Sequence, residues 1–348
     1  ERLARPEGFR SLVDFLAILR TPTSPWLPSD WVQTGVLGWL RYEPDMLPFY
    51  LLWSTAAALI VVGALLHSAL YARGFSKSQE GAGRVTARSH VNVSGFARIL
   101  PATRRELVLK ELRVFFRDTT QWSQLILLVV LVVVYVFNIR FLPLRGEGIT
   151  FFLANIIPFL NLVLAGFVIA SIAARFIFPS VSLEGRTWWL LKASPLSMRD
   201  LLWAKFWVGT LPLLVLALAI VFTTDVLLQV SQFMTAVSVG TITLLTFAIA
   251  GLAIGAGTIF PQFETENAAQ IPTSFGGLIF MMTAVSLIGA VIVLEARPVY
   301  VYLSASAFGT PVDPTEMFIG FTSAALLCIV ATLVPIRVAV KRLIALER

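Results

Sequence analysis

Runs of about 20 consecutive apolar residues recur along this chain of 348 residues, each long enough to cross the hydrocarbon core of a bilayer as a helix. Lipid offers no hydrogen-bond partners, so a spanning segment must satisfy its own backbone, as a helix or in a closed barrel. The alternating ten-residue segments of a barrel do not occur here. With 57% apolar and 14% charged residues, the expected class is all-α, a polytopic helical membrane protein. Spans are expected at about 47–71, 122–141, 151–174, 206–228, 234–260, 276–294 and 317–338. That makes about seven transmembrane helices.

The placement of charge sets the sides. Residues 72–121 carry ten Lys/Arg against four acids, an excess that marks a cytoplasmic loop. Counting spans from there puts 182–205, 261–275 and the C-terminal tail on the same side, with 1–46, 142–150, 229–233 and 295–316 external. The first part of the basic loop, RGFSKSQEGAGR, reads as a flexible linker. Its second part, Thr103–Asp118 (TRRELVLKELRVFFRD), is amphipathic, with Arg104, Arg105 and Lys110 largely off its apolar face. Such a helix before a span lies on an anionic leaflet or docks a soluble partner. Nucleic acid is not required to explain the charge.

The N-terminal 46 residues hold six acids and five arginines and include the Pro/Trp-rich passage RTPTSPWLPSDW. A short surface helix is expected over Gly8–Leu19, and TPTSPWLP is not regular helix. The chain opens on Glu1 without a methionine, and an N-terminus further upstream is expected. Residues 21–78 and 297–348 echo each other as external Pro-rich loop, span and basic segment, which suggests a duplication. The single cysteine, Cys328, excludes a disulfide framework.

The stretch Ser182–Lys205, SLEGRTWWLLKASPLSMRDLLWAK, is polar and aromatic-rich between two apolar runs. The residue before a proline avoids the α region, so a first helical piece should stop at Ser194-Pro195. A second restarts with Ser197 as N-cap and Asp200 three residues on. Trp188, Trp189, Leu190 and Leu191 are expected at the interface, with Glu184, Arg186 and Lys192 pointing to water. The residues alone leave open whether this is a surface for another protein to push on or an interfacial anchor. Further on, Gly251 and Gly255 form a GxxxG that permits close helix packing.

Several chemistries lack their residues. There is no GxxxxGK[ST] to cradle phosphates, no HExxH and no GxSxG. With only His67 and His90, a histidine metal site is not expected. Arg140, Arg175, Lys205 and Glu295 all fall near the ends of the expected spans. Ion-coupled transporters usually place such groups at the midplane, which argues against that class. Asn155 and Asn161 are the polar residues of the third span and should face other helices or a cavity.

Three passages together resemble the permease subunits of type-2 ABC exporters, in particular the larger fused kind. KELRVFFRD (Lys110–Asp118) resembles the connecting, or elbow, helix. SLEGRTWWLLKASPLSMRDLLWAKF (Ser182–Phe206) resembles the first cytoplasmic coupling helix. FPQFETENAAQIPTSFGG (Phe260–Gly277) resembles the second cytoplasmic contact.

The resemblance implies an elbow helix plus a six-span permease domain over 103–348, a basic linker over 72–102, and the external segment and last span of a preceding half over 1–71. It implies no cofactor in this chain and no ATPase site of its own. ATP would be hydrolysed on a partner ABC ATPase present in two copies, at a bacterial cytoplasmic membrane. A second permease half or a second copy of the chain would complete the pathway, and membrane lipid would be a further partner.

By the same resemblance, ATPase coupling falls to Glu184, Gly185, Arg186, Trp188, Leu190 and Pro195. Phe263, Glu264, Glu266 and Asn267 form the second contact. Arg104, Arg105, Lys110 and Arg113 belong to the elbow helix, and Asn155 and Asn161 are candidates for the pathway. The alternatives are an ion-coupled secondary transporter or channel, and a non-transporting membrane scaffold subunit.

Overall fold

A computed structural model of the protein describes residues 28–42, 45–81, 102–117, parts of 126–136, 151–188, 193, 197–265, 268–308 and 314–345. Among these residues there is helix and no strand, in keeping with the all-α class. Six helices are long and apolar enough to cross a membrane. The expected span at 122–141 lies mostly outside the described residues, as do the Gly8–Leu19 helix and the proline-rich passage.

The chain divides into two compact units, at Val93 and Ser94. The first holds α1 (Pro28–Leu40) and α2 (Leu47–Gly81). Pro28 opens α1 with a preset φ, and Asp30 in its first turn complements the helix dipole. The Asp45 carboxylate accepts from Leu47 N–H at 2.9 Å, which caps α2.

Sequence reading ends this span at Tyr71 and starts a flexible linker. The helix instead persists to Gly81. No proline interrupts it, and His67, Tyr71 and Phe75, four residues apart, stack at 4.5 and 5.8 Å along one face.

The second unit contains α3 (Ala102–Arg117), α4 (Phe151–Phe176), α5 (Met198–Leu228), α6 (Gln232–Ile259), α7 (Phe275–Phe308) and α8 (Pro314–Ala345), with short 3-10 turns at Phe178–Ser180, Ser182–Thr187 and Ala268–Gln270. At 1.5 Å per residue, the 34 residues of α7 reach about 50 Å, well beyond a hydrocarbon core of about 30 Å. Segments expected as loops are therefore helical. EARPVYVYLSASAF continues α7 through Pro298 to Phe308, a proline that a membrane bundle tolerates when neighbours satisfy the freed carbonyl.

α6 is the centre of this unit and packs against α4, α5, α7 and α8. Its middle is built from small residues. Ala248, Ala250 and Ala253 are fully buried. A Cβ at Gly251 would lie 2.7 Å from Thr332 Cα, and one at Gly255 would lie 2.4 Å from Pro335 Cβ. The GxxxG therefore seats α6 directly on the backbone of α8.

Candidate functional site

At one end of the second unit the chain leaves α4 without leaving the bundle. It makes two 3-10 turns; Phe178 and Pro179 of the first are buried, and Phe178 stacks on Phe280 of α7 at 5.8 Å. Within the second turn, Gly185 takes φ 37° and ψ −117°. Side chains rarely adopt that conformation, and glycine adopts it freely. Gly185→Ala should lower stability in detergent unfolding by about 1–3 kcal/mol. An unchanged midpoint would mean the kink is not fixed as described.

The kink turns Glu184 inward, into a network of four charges. Lys205 Nζ, on a side chain only 2% exposed, donates to Glu184 Oε1 at 2.6 Å, Glu111 Oε1 at 2.9 Å and the Ser180 carbonyl at 3.0 Å. Lys110 Nζ donates to both oxygens of Glu184, at 2.6 and 2.7 Å. Among the described residues, two lysines and two glutamates meet here, and such pairing is what keeps ions inside a protein. They tie α3, the second 3-10 turn and the start of α5 into one junction. Sequence reading places Glu184 in water. The structure buries it, because both lysines can reach it only there.

The same turn is clamped to the loop after α6. Gln262 N–H donates to Ser182 Oγ at 3.0 Å. Trp188 stacks on Phe263 with centroids 5.4 Å apart, and a Cβ at Gly185 would touch the Phe263 carbonyl at 3.4 Å. Ser197 caps α5 as its sequence predicts, with Asp200 N–H donating to its hydroxyl at 3.1 Å.

The structure thus brings together Glu184, Gly185, Trp188, Phe263 and Lys110. Glu264 and Arg113 are exposed, and Arg105 is half-buried on α3. The side chains of Arg104, Asn155 and Arg186, and residues Leu190, Pro195, Glu266 and Asn267, lie outside what is described. Sequence reasoning did not find Glu111, Ser182, Lys205 and Gln262 as site residues. The partners in these contacts are about 20 to 90 positions apart, and no local spacing signals such pairs.

The opposite end of the unit is also polar. Asn161 is buried, and its Oδ1 accepts from the Tyr135 hydroxyl at 2.5 Å. Asp225 and Glu295 are 4% and 3% exposed. This corrects the sequence expectation that Glu295 falls at a span end. α7 runs thirteen residues past it, so Glu295 lies inside the bundle.

A family model described as "Putative ATP-binding cassette" matches residues 4–348, nearly the whole chain. The chain belongs to this family. No curated protein and no solved structure matched. Membership in an ATP-binding cassette family, together with six helices of spanning length, fits a transport-related integral membrane protein. The family match takes in both units.

Proposed function

We propose that this chain is the membrane-spanning permease subunit of an exporter driven by a separate ATP-hydrolysing subunit. The observation that carries this reading is the convergence at one junction of the three segments resembling an elbow helix and two cytoplasmic contacts. Residues 182–188 touch Lys110 on one side and Gln262 and Phe263 on the other. A partner pressing on Trp188 and Phe263 would move α5 through Lys205 and α6 through Ser182. Closure of two ATPase subunits would in this way alternate access between the spans, for an amphipathic or lipid-like substrate. Glu184 acts here as an internal strut. Trp188, with exposed Glu264, supplies the surface for the partner.

Purification in mild detergent tests this directly. A protein bearing a phosphate-cradling loop should co-purify, and the pair should move substrate in vesicles only with ATP. Trp188→Ala should leave the chain in the membrane and lower the co-purified ATPase by about tenfold or more, since buried tryptophans dominate interface energies. Full recovery of the ATPase with that variant would remove Trp188 from the interface.

A second reading, an ion-coupled transporter, is favoured by Asp225 and Glu295, because ionisable groups inside a membrane bundle commonly serve ion pathways. Transport that follows an imposed ion gradient without ATP would select it.

A further inference from the structure

Two carboxylic acids lie in the bundle at the end away from the junction, and coupling through Glu184 and Lys205 does not use them. Asp225, in the last turn of α5, is faced by Ser238 of α6 and by Tyr135. Its Oδ2 is buried and has no hydrogen-bond partner among the described residues. Glu295, on α7, is faced by Thr241 of α6 and by the thiol of Cys328 on α8. The basic residue nearest to it in sequence, Arg297, is exposed and pairs with Glu316 at 2.6 Å instead. The described neighbours of these acids are thus hydroxyls and a thiol.

Burial and the hydrogen-bond partners bear on the protonation state. Thr241 Oγ1 lies 2.8 Å from both oxygens of Glu295. A hydroxyl either shares its one proton between both oxygens of a carboxylate or, when the acid is protonated, donates to one oxygen and accepts from the other, and burial without a described cation favours the second arrangement. The other threonines of α6 differ. Thr243, Thr246 and Thr258 donate to the carbonyl four residues back, at 2.6 to 2.7 Å, whereas Thr241 turns to the acid. An ionised carboxylate buried without a cation costs several kcal/mol. The neutral form of Asp225 likewise avoids a second buried charge without a described cation. Ser238 and Thr241 are one turn apart on α6, which sets the two acids at adjacent places along one helix.

We propose that Asp225 and Glu295 form a proton-binding site. Each carboxyl holds a proton while α5 to α8 are packed as here, and releases it to water when this end of the bundle opens. Closing takes the protons back, so movement of the helices is linked to proton exchange. The site is read from this chain alone and rests on neither functional reading above.

Cys328, the only cysteine in the sequence and buried beside Glu295, is a reporter already in place. The purified chain in nanodiscs is labelled with a maleimide between about pH 6 and about pH 9. Thiolate chemistry accelerates labelling with pH in both forms, and a charged acid near the thiol would by itself slow labelling, so only opening of the bundle raises the wild-type rate relative to Glu295→Gln. That variant keeps an acceptor and a donor for Thr241 and cannot titrate. The wild-type ratio should rise about tenfold across the range, as ionisation of the acid favours the open arrangement. Asp225→Asn should show a smaller rise. A ratio that stays flat overturns the proposal.

Infrared spectra of the wild type provide a reading that needs no variant to fold. A protonated carboxyl stretch should be present near neutral pH, and its absence would equally overturn the proposal. Neither measurement involves an ATP-hydrolysing partner, so failure here is distinct from failure of the permease reading.

Discussion

Lys205→Met is expected to destabilise the protein by about 3–5 kcal/mol, because it removes the enclosed cation that two carboxylates share. Lys205 has the most enclosed side chain of the four described charged groups of the junction, and it serves Glu184, Glu111 and the Ser180 carbonyl together. Its loss takes from Glu184, 7% exposed, the more enclosed of its two described lysines, the other being Lys110, whose side chain is 38% exposed and shared with water. The companion variant Lys205→Met with Glu184→Leu removes both charges and should recover most of the loss, since apolar replacement of a whole buried pair is close to neutral. Unfolding in mixed detergents measures both. Equal stability of Lys205→Met and wild type would show that the junction is solvated and holds nothing.

Gly257→Ala should produce the second large effect. A Cβ there would stand 2.1 Å from the Phe178 carbonyl oxygen, and both partners are backbone. Neither can rotate away, so α6 or the 3-10 turn must shift. The cost should reach or exceed about 3 kcal/mol, the upper part of the usual range for overpacking. Gly240→Ala on the same helix is the control. It is exposed with nothing within 4 Å of an added Cβ, and alanine should there gain about 0.5–1 kcal/mol from helix propensity. If Gly257→Ala matches that gain, the close approach of turn and helix is wrong.

The helical class and most spans were legible because lipid turns apolar run length into secondary structure. The Ser197 cap was legible because it is a contact three residues long. The span limits were less so. α2 and α7 continue past their apolar runs because nothing in Arg73–Gly81 or Glu295–Phe308 breaks a helix already nucleated and packed, and Pro298 does not. The junction was half legible. Composition marked Ser182–Lys205 as unusual and placed its glutamate in water, since an isolated carboxylate belongs there. Only the fold supplies Lys110 and Lys205, one on the preceding amphipathic helix and one at the start of the following span. Glu295 was misplaced for the related reason that its burial depends on where α7 ends.

The seating of α6 on α8 has a mechanical consequence. Thr332 and Pro335 of α8 fill the notches over Gly251 and Gly255, as teeth engage a rack. Two rods meshed in this way resist sliding along their common length, because an axial slip drives Pro335 off the glycine that makes room for it. A push delivered at one tip therefore arrives at the other as a tilt of the pair, with α5 and α7 as the surfaces that must give.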